Sequence, residues 1–474
     1  MIYVHWIIIF IYAIIVIASM IAVLMDNRQP AKAMAWLMVL AFIPVVGVII
    51  YVFFGQNIRK ERIIGRHSLK ELKRRDMLKF LKNEETEDIV NHKQLIKLFS
   101  HQGWAQPFNN NEVEIYTKGS DFFPILMESF RKAKHHIHLL SYIFADDELG
   151  QQIADILKEK AREGVVVRVI YDDVGCWRVS SRFYKQMASA GVDVRPFMPV
   201  HFPMLTSKVN YRNHRKLCVV DGHEAFIGGM NIAQRYITGT GKQTWRDTHL
   251  MIRGGAVYGI QEAFLADWFF VSQDLITDKI YYPAIDDNIK NKCLAQVVTS
   301  SPTSTYPDIM QGYVRIILEA KKYVYIETPY FLPTEPVLLA LRTAALSGVD
   351  IRLMIPRHSD AKLAEWASRS YVMQVLDAGV KVYFYKAGFN HSKLLISDDT
   401  LCTCGSTNVD FRSFDNNFES NVFFYDNEMA LRMKKVFMED QRRCILINDV
   451  KIISNRPFFY RFWESVVRLF APLL

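Results

Sequence analysis

Apolar and polar residues follow two spacings along this chain, and the order in which they alternate occurs twice. "HIHLLSYIF" (136–144) reads as a strand, "LGQQIADILKEKAREG" (149–164) carries apolar residues at helical spacing and stops at Gly164, and "VVVRVIYDD" (165–173) is a short apolar run typical of a buried strand. Farther on, "YVYIETPYF" (323–331), "PVLLALRTAALSG" (336–348) and "VDIRLMIPR" (349–357) repeat that order. Matched segments, "ASAGVDVRPF" (188–197) and "LDAGVKVYFY" (376–385), then follow. Strands alternating with helices of this length predict an α/β fold with mostly parallel pairing. The repetition predicts two similar halves about a pseudo-two-fold, residues 106–290 and 291–450.

The ends of the chain are patterned differently. Residues 1–25 contain no Lys, Arg, Asp or Glu, and neither do residues 33–58. Each run exceeds the roughly 20 residues that span a bilayer as a helix, so residues 1–58 are expected to form a transmembrane helical hairpin. A cleaved signal peptide would begin with positive charge, which this chain lacks. The connector holds two basic residues, Arg28 and Lys32, whereas residues 59–76 hold eight. That asymmetry places the large domain on the cytoplasmic side of the membrane, with residues 59–105 as a basic juxtamembrane linker. At the other end, residues 451–474 form a tail of Phe, Tyr, Trp, Leu and Arg. It suits either a lipid interface or the protein's own surface.

Composition narrows the partners. A net charge of +9 over 474 residues implies an anionic partner, without separating nucleic acid from acidic lipid. The six cysteines have no paired framework, and Cys402 and Cys404 read as alternate residues of a strand rather than a metal half-site.

The candidate chemistry lies where the two halves repeat most closely. "NHRKLCVVDGHEAFIGGMN" (213–231) and "NHSKLLISDDTLCTCGSTN" (390–408) share five positions in register: His214, Lys216, Asp221, Gly228 and Asn231 against His391, Lys393, Asp398, Gly405 and Asn408. Residues two apart in a strand share a face, so each His/Lys pair points one way. Two such halves would bring two imidazoles and two ammonium groups to one cleft. That set suits a phosphodiester: lysines balance phosphoryl charge, glycines including Gly229 let backbone amides approach, and asparagines add donors. One histidine attacks phosphorus while the other serves as acid and then base, with no metal and no cofactor required.

The twin His-x-Lys-x4-Asp motifs with their glycine and asparagine resemble the phospholipase D superfamily. Within it, "PAKAMAWLMVLAFIPVVGVIIYVFFG" (30–55), "ETPYFLP" (327–333) and "DFRSFDNNFESNVFFYD" (410–426) are similar to the bacterial cardiolipin synthases. The resemblance implies phospholipase D-like halves and a multi-pass protein of the bacterial cell membrane. It implies phosphatidylglycerol as substrate, anionic membrane lipids as partners and no nucleic acid. It further implies transfer of a phosphatidyl group from one phosphatidylglycerol to another, with His214 as nucleophile and His391 as acid and base. Glu419, 28 residues after His391, matches the family's ring-orienting carboxylate. Lys242 stands at that offset in the first half, so Asp247 is assigned the corresponding role. Asp221 and Asp398 are expected to act structurally at strand ends. Ser406 would be a phosphate donor that the first half, with Gly229, lacks.

Other readings remain open at this level. The same site could hydrolyse phospholipid, use another phosphatidyl acceptor, or belong to a membrane-tethered nuclease or nucleic-acid-binding protein. "HHIH" (135–138) is expected to be strand alternation rather than a metal tract. His249, Glu327 and Tyr330 are candidate cleft residues.

Overall fold

The computed structural model describes residues 2–25, 30–51, 92–103, 105–200, 210–241, 243–286, 288–289, 293–304, 306–447, 457–469 and 471. Contacts divide the chain into two compact units, Met1–Asp76 with Val200–Tyr211 and Met77–Pro199 with Arg212–Leu474.

In the smaller unit a helix runs Ile2–Met25, 24 residues without a charge, and a second runs Pro30–Phe42. Val23, Leu40 and Tyr51 are buried together, while Trp6, Phe10, Ile14 and Ile21 stay exposed. The expected second span is not one continuous helix. It breaks at Ile43 (φ −131°, ψ 61°) and resumes as Pro44–Ile50, because Pro44 has no N–H to donate and pushes the preceding residue out of helical geometry. Among the described residues, no helix is long and apolar enough to cross a membrane. The rest of the predicted second span and most of the basic linker lie outside the described residues.

The larger unit is built on one fifteen-stranded sheet. Its first half supplies β1 (Pro107–Tyr116), β2 (His136–Ser141), β3 (Val166–Asp172), β4 (Asp193–Phe197), β5 (Leu217–Val220), β6 (Glu224–Gly228) and β8 (His249–Gly254), with a short β7 (Trp245–Arg246) apart. Its second half supplies β9 (Cys293–Ser300), β10 (Tyr323–Glu327), β12 (Asp350–Pro356), β13 (Lys381–Tyr385), β15 (Leu394–Ser397), β16 (Leu401–Gly405), β18 (Glu419–Phe424) and β19 (Cys444–Ile447). Three short strands, β11 (Phe331–Leu332), β14 (Phe389–Asn390) and β17 (Val409–Asp410), lie outside it. Outward from the centre the order is β1-β8-β6-β5-β2-β3-β4 on one side and β9-β18-β16-β15-β10-β12-β13-β19 on the other. Equivalent strands therefore occupy equivalent places, and β1 pairs antiparallel with β9 at the join.

Mostly parallel pairing, the expectation from sequence, holds within the large sheet only for β2-β3-β4 and β10-β12-β13. The motif strands are antiparallel hairpins, because β5 and β6 are joined by a tight turn with Asp221 and Gly222 at positive φ, and β15 and β16 by one with Asp398 and Asp399. No crossover helix fits into connections this short.

Helices Gly119–Lys132 and Glu148–Arg162 bury Phe122, Phe130, Ile153 and Leu157 in the first-half core. Asp308–Glu319 and Glu335–Leu346 do the same in the second with Tyr313, Ile317, Val337 and Leu341. Residues 93–103, read from sequence as linker, form a helix whose Leu95 and Phe99 complete that second core. Gly312 is required there, since a Cβ would lie 2.4 Å from the Phe99 ring.

Candidate active site

Each motif histidine lies on extended chain just ahead of its hairpin and is tied by its backbone to the opposite half. The His214 N–H donates to the Phe418 carbonyl at 2.9 Å, and the His391 N–H donates to the Arg246 carbonyl at 2.7 Å. Parallel pairing of β7 with β14 extends the second tie. The two histidines are thus placed by backbone that crosses between the halves. Their side chains are 12% and 7% exposed.

The carboxylates cross over as well. Glu419 of the second half lies 3.1 and 3.2 Å from Nδ1 of His214, and Asp247 of the first half lies 2.7 Å from Nδ1 of His391. The two carboxylates hold equivalent positions. Gly228 pairs with His249 across β6 and β8, Gly405 pairs with Asn421 across β16 and β18, and two residues back along each partner stand Asp247 and Glu419. The offset from each half's own histidine differs, 33 residues (247 minus 214) against 28 (419 minus 391), which is why Lys242 at +28 misleads. Lys242 itself lies outside the described residues.

Electrostatics fix the resting protonation. Burial favours the neutral form of both acids. The surrounding charge prevails, however: Lys393 and His391 hold Asp247 below the usual carboxylate range, and His214 and Lys216 do so for Glu419. Burial, reinforced by the neighbouring lysines, holds both imidazoles down, His391 to about 4. Each pair at rest is therefore a neutral ring beside an anion. A carboxylate only accepts, so Nδ1 of each ring carries the proton and Nε2 keeps a free lone pair. Burial also lowers both lysines, Lys216 to about 7. Lys216 Nζ donates to the His214 carbonyl at 2.6 Å and sits 5.2 Å over the Tyr142 ring, while Lys393 Nζ donates to the His391 carbonyl. The charge of Lys393 also acts on His214, and Asp247 acts on Lys216, so the four groups share one electrostatic site.

Other motif residues are engaged within the protein. Asp221 and Asp398 lie beyond the far ends of β5 and β15. Asp221 accepts the N–H groups of Lys134, His135 and His136, each at 2.8 Å. Asp398 accepts those of Lys321, Lys322 and Tyr323 at 2.6, 2.8 and 2.9 Å. Two of the glycine amides, expected to face an anion, are already used: Gly228 N–H bonds the Lys216 carbonyl and Gly229 N–H bonds the Thr248 carbonyl. The glycines instead make room. A Cβ on Gly229 would lie 2.1 Å from the Asp247 carboxylate, and one on Gly405 2.2 Å from the Ser420 carbonyl. Ser406 gives its hydroxyl to Glu419 and accepts the Ser420 N–H at 3.0 Å, so it braces the carboxylate rather than pointing at a phosphate. Asn231 accepts the Ile143 N–H and donates to the Tyr236 hydroxyl. Asn408 donates to Asp410 at 3.0 Å, and its buried Oδ1 has no partner among the described residues.

Several contributors carry no motif signal. Rings surround both histidines: Tyr142 at 4.9 Å from His214 and Trp245 at 5.7 Å from His391, beside the cleft candidate Tyr330 at 6.4 Å. The Tyr236 hydroxyl is 3.4 Å from His391 Nδ1. Buried ions pin the motif backbone. Arg215 pairs with Asp267 at 2.7 Å, and Arg246 lies 2.5 Å from Asp440 and 3.7 Å from Glu327. Glu327, a cleft candidate, is thus a buried member of that cluster, pushed up to about 7 by burial against the pull of Arg246. His249 is also a packing residue, 4.2 Å from the Phe122 ring and accepting the Met230 N–H. In "HHIH", His138 meets Gln261 at 2.7 Å and Arg168 at 3.0 Å, and its ring stacks on Phe264.

Comparison with known proteins gives a consistent picture. The family described as "Cardiolipin synthase, PLD-like domain" matches residues 126–268 and 313–441, and "Phospholipase_D-nuclease N-terminal" matches residues 8–56. The chain is 39% identical to "Cardiolipin synthase 2" of Bacillus anthracis over 461 residues, covering 95% of this chain and 88% of that one. It is 39% identical to "Cardiolipin synthase" of Halalkalibacterium halodurans over 464 residues, covering 96% and 91%. Among solved structures, phosphatidylserine synthase of Haemophilus influenzae superposes with a TM-score of 0.62 at 16% identity, covering 81% of this chain and 99% of that one. That likeness concerns the fold.

Proposed function

The chain belongs to the phospholipase D-like cardiolipin synthases, and from that premise we propose that its twin-histidine site joins two phosphatidylglycerols into cardiolipin and glycerol. The observation that carries the reading is the crossed arrangement of two neutral imidazoles, each backed by an anionic carboxylate and flanked by a lysine, in a chain with near full-length kinship to these enzymes.

A phosphatidylglycerol headgroup enters with its phosphate between the rings, balanced by Lys216 and Lys393. Nε2 of His214 attacks phosphorus. The bond from phosphorus to the glycerol oxygen breaks, and His391, protonated once the phosphate anion raises its pKa, delivers a proton to that oxygen. Glycerol leaves a phosphatidyl group on His214. His391, now neutral, takes the proton from a hydroxyl of a second phosphatidylglycerol, whose oxygen attacks phosphorus and frees His214. Glu419 and Asp247 hold the rings in the required tautomer throughout, and stabilise whichever ring is positive.

A membrane location belongs to the same proposal. The uncharged helix Ile2–Met25, with its exposed apolar side chains, supports anchoring. The basic residues from 59 to 76 support a cytoplasmic catalytic unit facing anionic lipid.

The test is a product assay on full-length protein in phosphatidylglycerol liposomes with EDTA, beside His214→Ala and His391→Ala. Cardiolipin with equal glycerol, lost in both variants, is expected. Phosphatidic acid as main product would make the enzyme a hydrolase.

A further inference from the structure

The C-terminal segment carries more apolar surface than its packing uses. Its helix, Phe458–Arg468, docks through Val467, with Ala471 beyond it, onto Leu332 and onto Ala367 of the helix Lys362–Leu376. Its N-terminal turns are left in solvent: Phe458 is 81% exposed, Phe459 65%, Tyr460 59% and Trp463 44%. Leu363, one turn before Ala367, and Trp366, one turn after Leu363, are exposed on the helix beneath.

Charge and position together select the occupant. Between residues 456 and 474 the chain has three arginines, Arg456, Arg461 and Arg468, and one acid, Glu464. That acid is turned inward at 6% exposure, so the outer face is aromatic and free of negative charge. The helix is also seated on the rim of the catalytic site. Leu332, beneath it, pairs with Asp410 and lies two residues past Tyr330, whose ring faces His391. The Tyr330 hydroxyl donates to Asp360 at 2.6 Å, just ahead of the helix that carries Ala367. An exposed aromatic surface, in a segment whose sequence is net basic, beside a site that consumes anionic lipid matches the interface of a bilayer, where rings sit at headgroup depth.

We propose that the exposed aromatic face of Phe458–Arg468, with Leu363 and Trp366, docks on an anionic lipid surface and brings the rim of the active site to the headgroups. The inference rests on the reading of the site as a phosphatidyltransferase. It concerns a surface that the chemistry does not touch.

The test uses the full chain, with Cys444→Ser as background because the other five cysteines are buried. A fluorophore is attached at Phe459→Cys or, as control, at Ile280→Cys, which replaces an exposed residue elsewhere. Each protein is reconstituted with phosphatidylglycerol or phosphatidylcholine carrying brominated acyl chains. Quenching at 459 several-fold above that at 280, and stronger in phosphatidylglycerol, is expected. Equal quenching at both sites, equal quenching in both lipids, or cross-linking of two copies through 459 would overturn the proposal. In parallel, Phe459→Ser with Trp463→Ser should raise the half-saturating vesicle lipid about tenfold while leaving kcat and turnover of monomeric short-chain lipid unchanged. Quenching without any turnover by the parent protein would defeat the catalytic reading and leave the docking surface standing. Normal turnover with an unquenched label would defeat the docking surface alone.

Discussion

Replacing Asp247 by Asn tests the crossed arrangement most directly. The substitution keeps the shape of a buried side chain whose carboxylate receives the His391 Nδ1 proton at 2.7 Å and the Thr248 N–H at 2.7 Å, but it removes the charge. A unit charge about 4 Å from an imidazolium, at an effective dielectric near 20, is worth about 4 kcal/mol. An amide can still accept the Nδ1 proton, so part of the effect survives. The expected loss in kcat is about 10² to 10³-fold. Glu419→Gln should lose a similar amount, through His214. The assay compares two phosphatidyl donors, phosphatidylglycerol and an analogue with an aryl leaving group that departs without a proton. If His391 is the acid, His391→Ala and Asp247→Asn should both recover on the aryl donor during phosphatidyl-enzyme formation, whereas His214→Ala and Glu419→Gln should not. The decisive point is the pairing: each carboxylate variant must track the histidine of the opposite half. Asp247→Asn behaving like His214→Ala, with Glu419→Gln behaving like His391→Ala, would refute the argument.

Three further outcomes follow from the geometry. Gly229→Ala places a methyl where the Asp247 carboxylate lies, 2.1 Å from its oxygen, and should lower kcat at least about tenfold while the melting transition stays cooperative; unchanged kcat would mean that the carboxylate can yield without cost. Asp221→Asn and Asp398→Asn each weaken an acceptor of three backbone N–H groups and should cost about 2 kcal/mol in denaturant titrations, with activity per folded molecule retained; selective loss of turnover would return them to the chemistry. In the free protein Lys216 loses its proton near pH 7, so kcat/KM should fall as pH rises through about 7. A bound phosphate anion raises the pKa of Lys216, so the corresponding limb of kcat should appear at higher pH. Coincident limbs, or a break near pH 7 that persists in Lys216→Arg, would contradict this assignment.

Much of this architecture was legible from spacing. The two halves and the shared positions at His214 and His391 follow from a repeat whose polar members fall at equal offsets. The partnership of Asp247 with His391 was not, since it joins residues 144 apart across the halves, and the half containing Asp247 has five extra residues before that position. The glycines were read as openings for an anion because sequence reveals a missing side chain without revealing what fills the space. Ser406 shows the same: a hydroxyl beside a motif looks available until Glu419 is seen to accept it. Hydrophobic pattern alone points to parallel pairing because the hairpins after Lys216 and Lys393 turn on Asp221 and Asp398, residues whose positive φ leaves no mark in that pattern.

The continuous sheet limits how the enzyme can move. Many two-lobed enzymes admit substrate by hinging apart, but here β1 and β9 share a ladder across the join, and both histidines are held by backbone bonds from the facing half. Opening a hinge would rupture those bonds together and pull His214 from Glu419 and His391 from Asp247. Traffic must instead pass through a mouth that stays fixed while the scaffold remains closed. Glycerol must then depart, and the second lipid arrive, past fixed walls, so the exchange of one alcohol for the other proceeds without a breathing motion of the lobes.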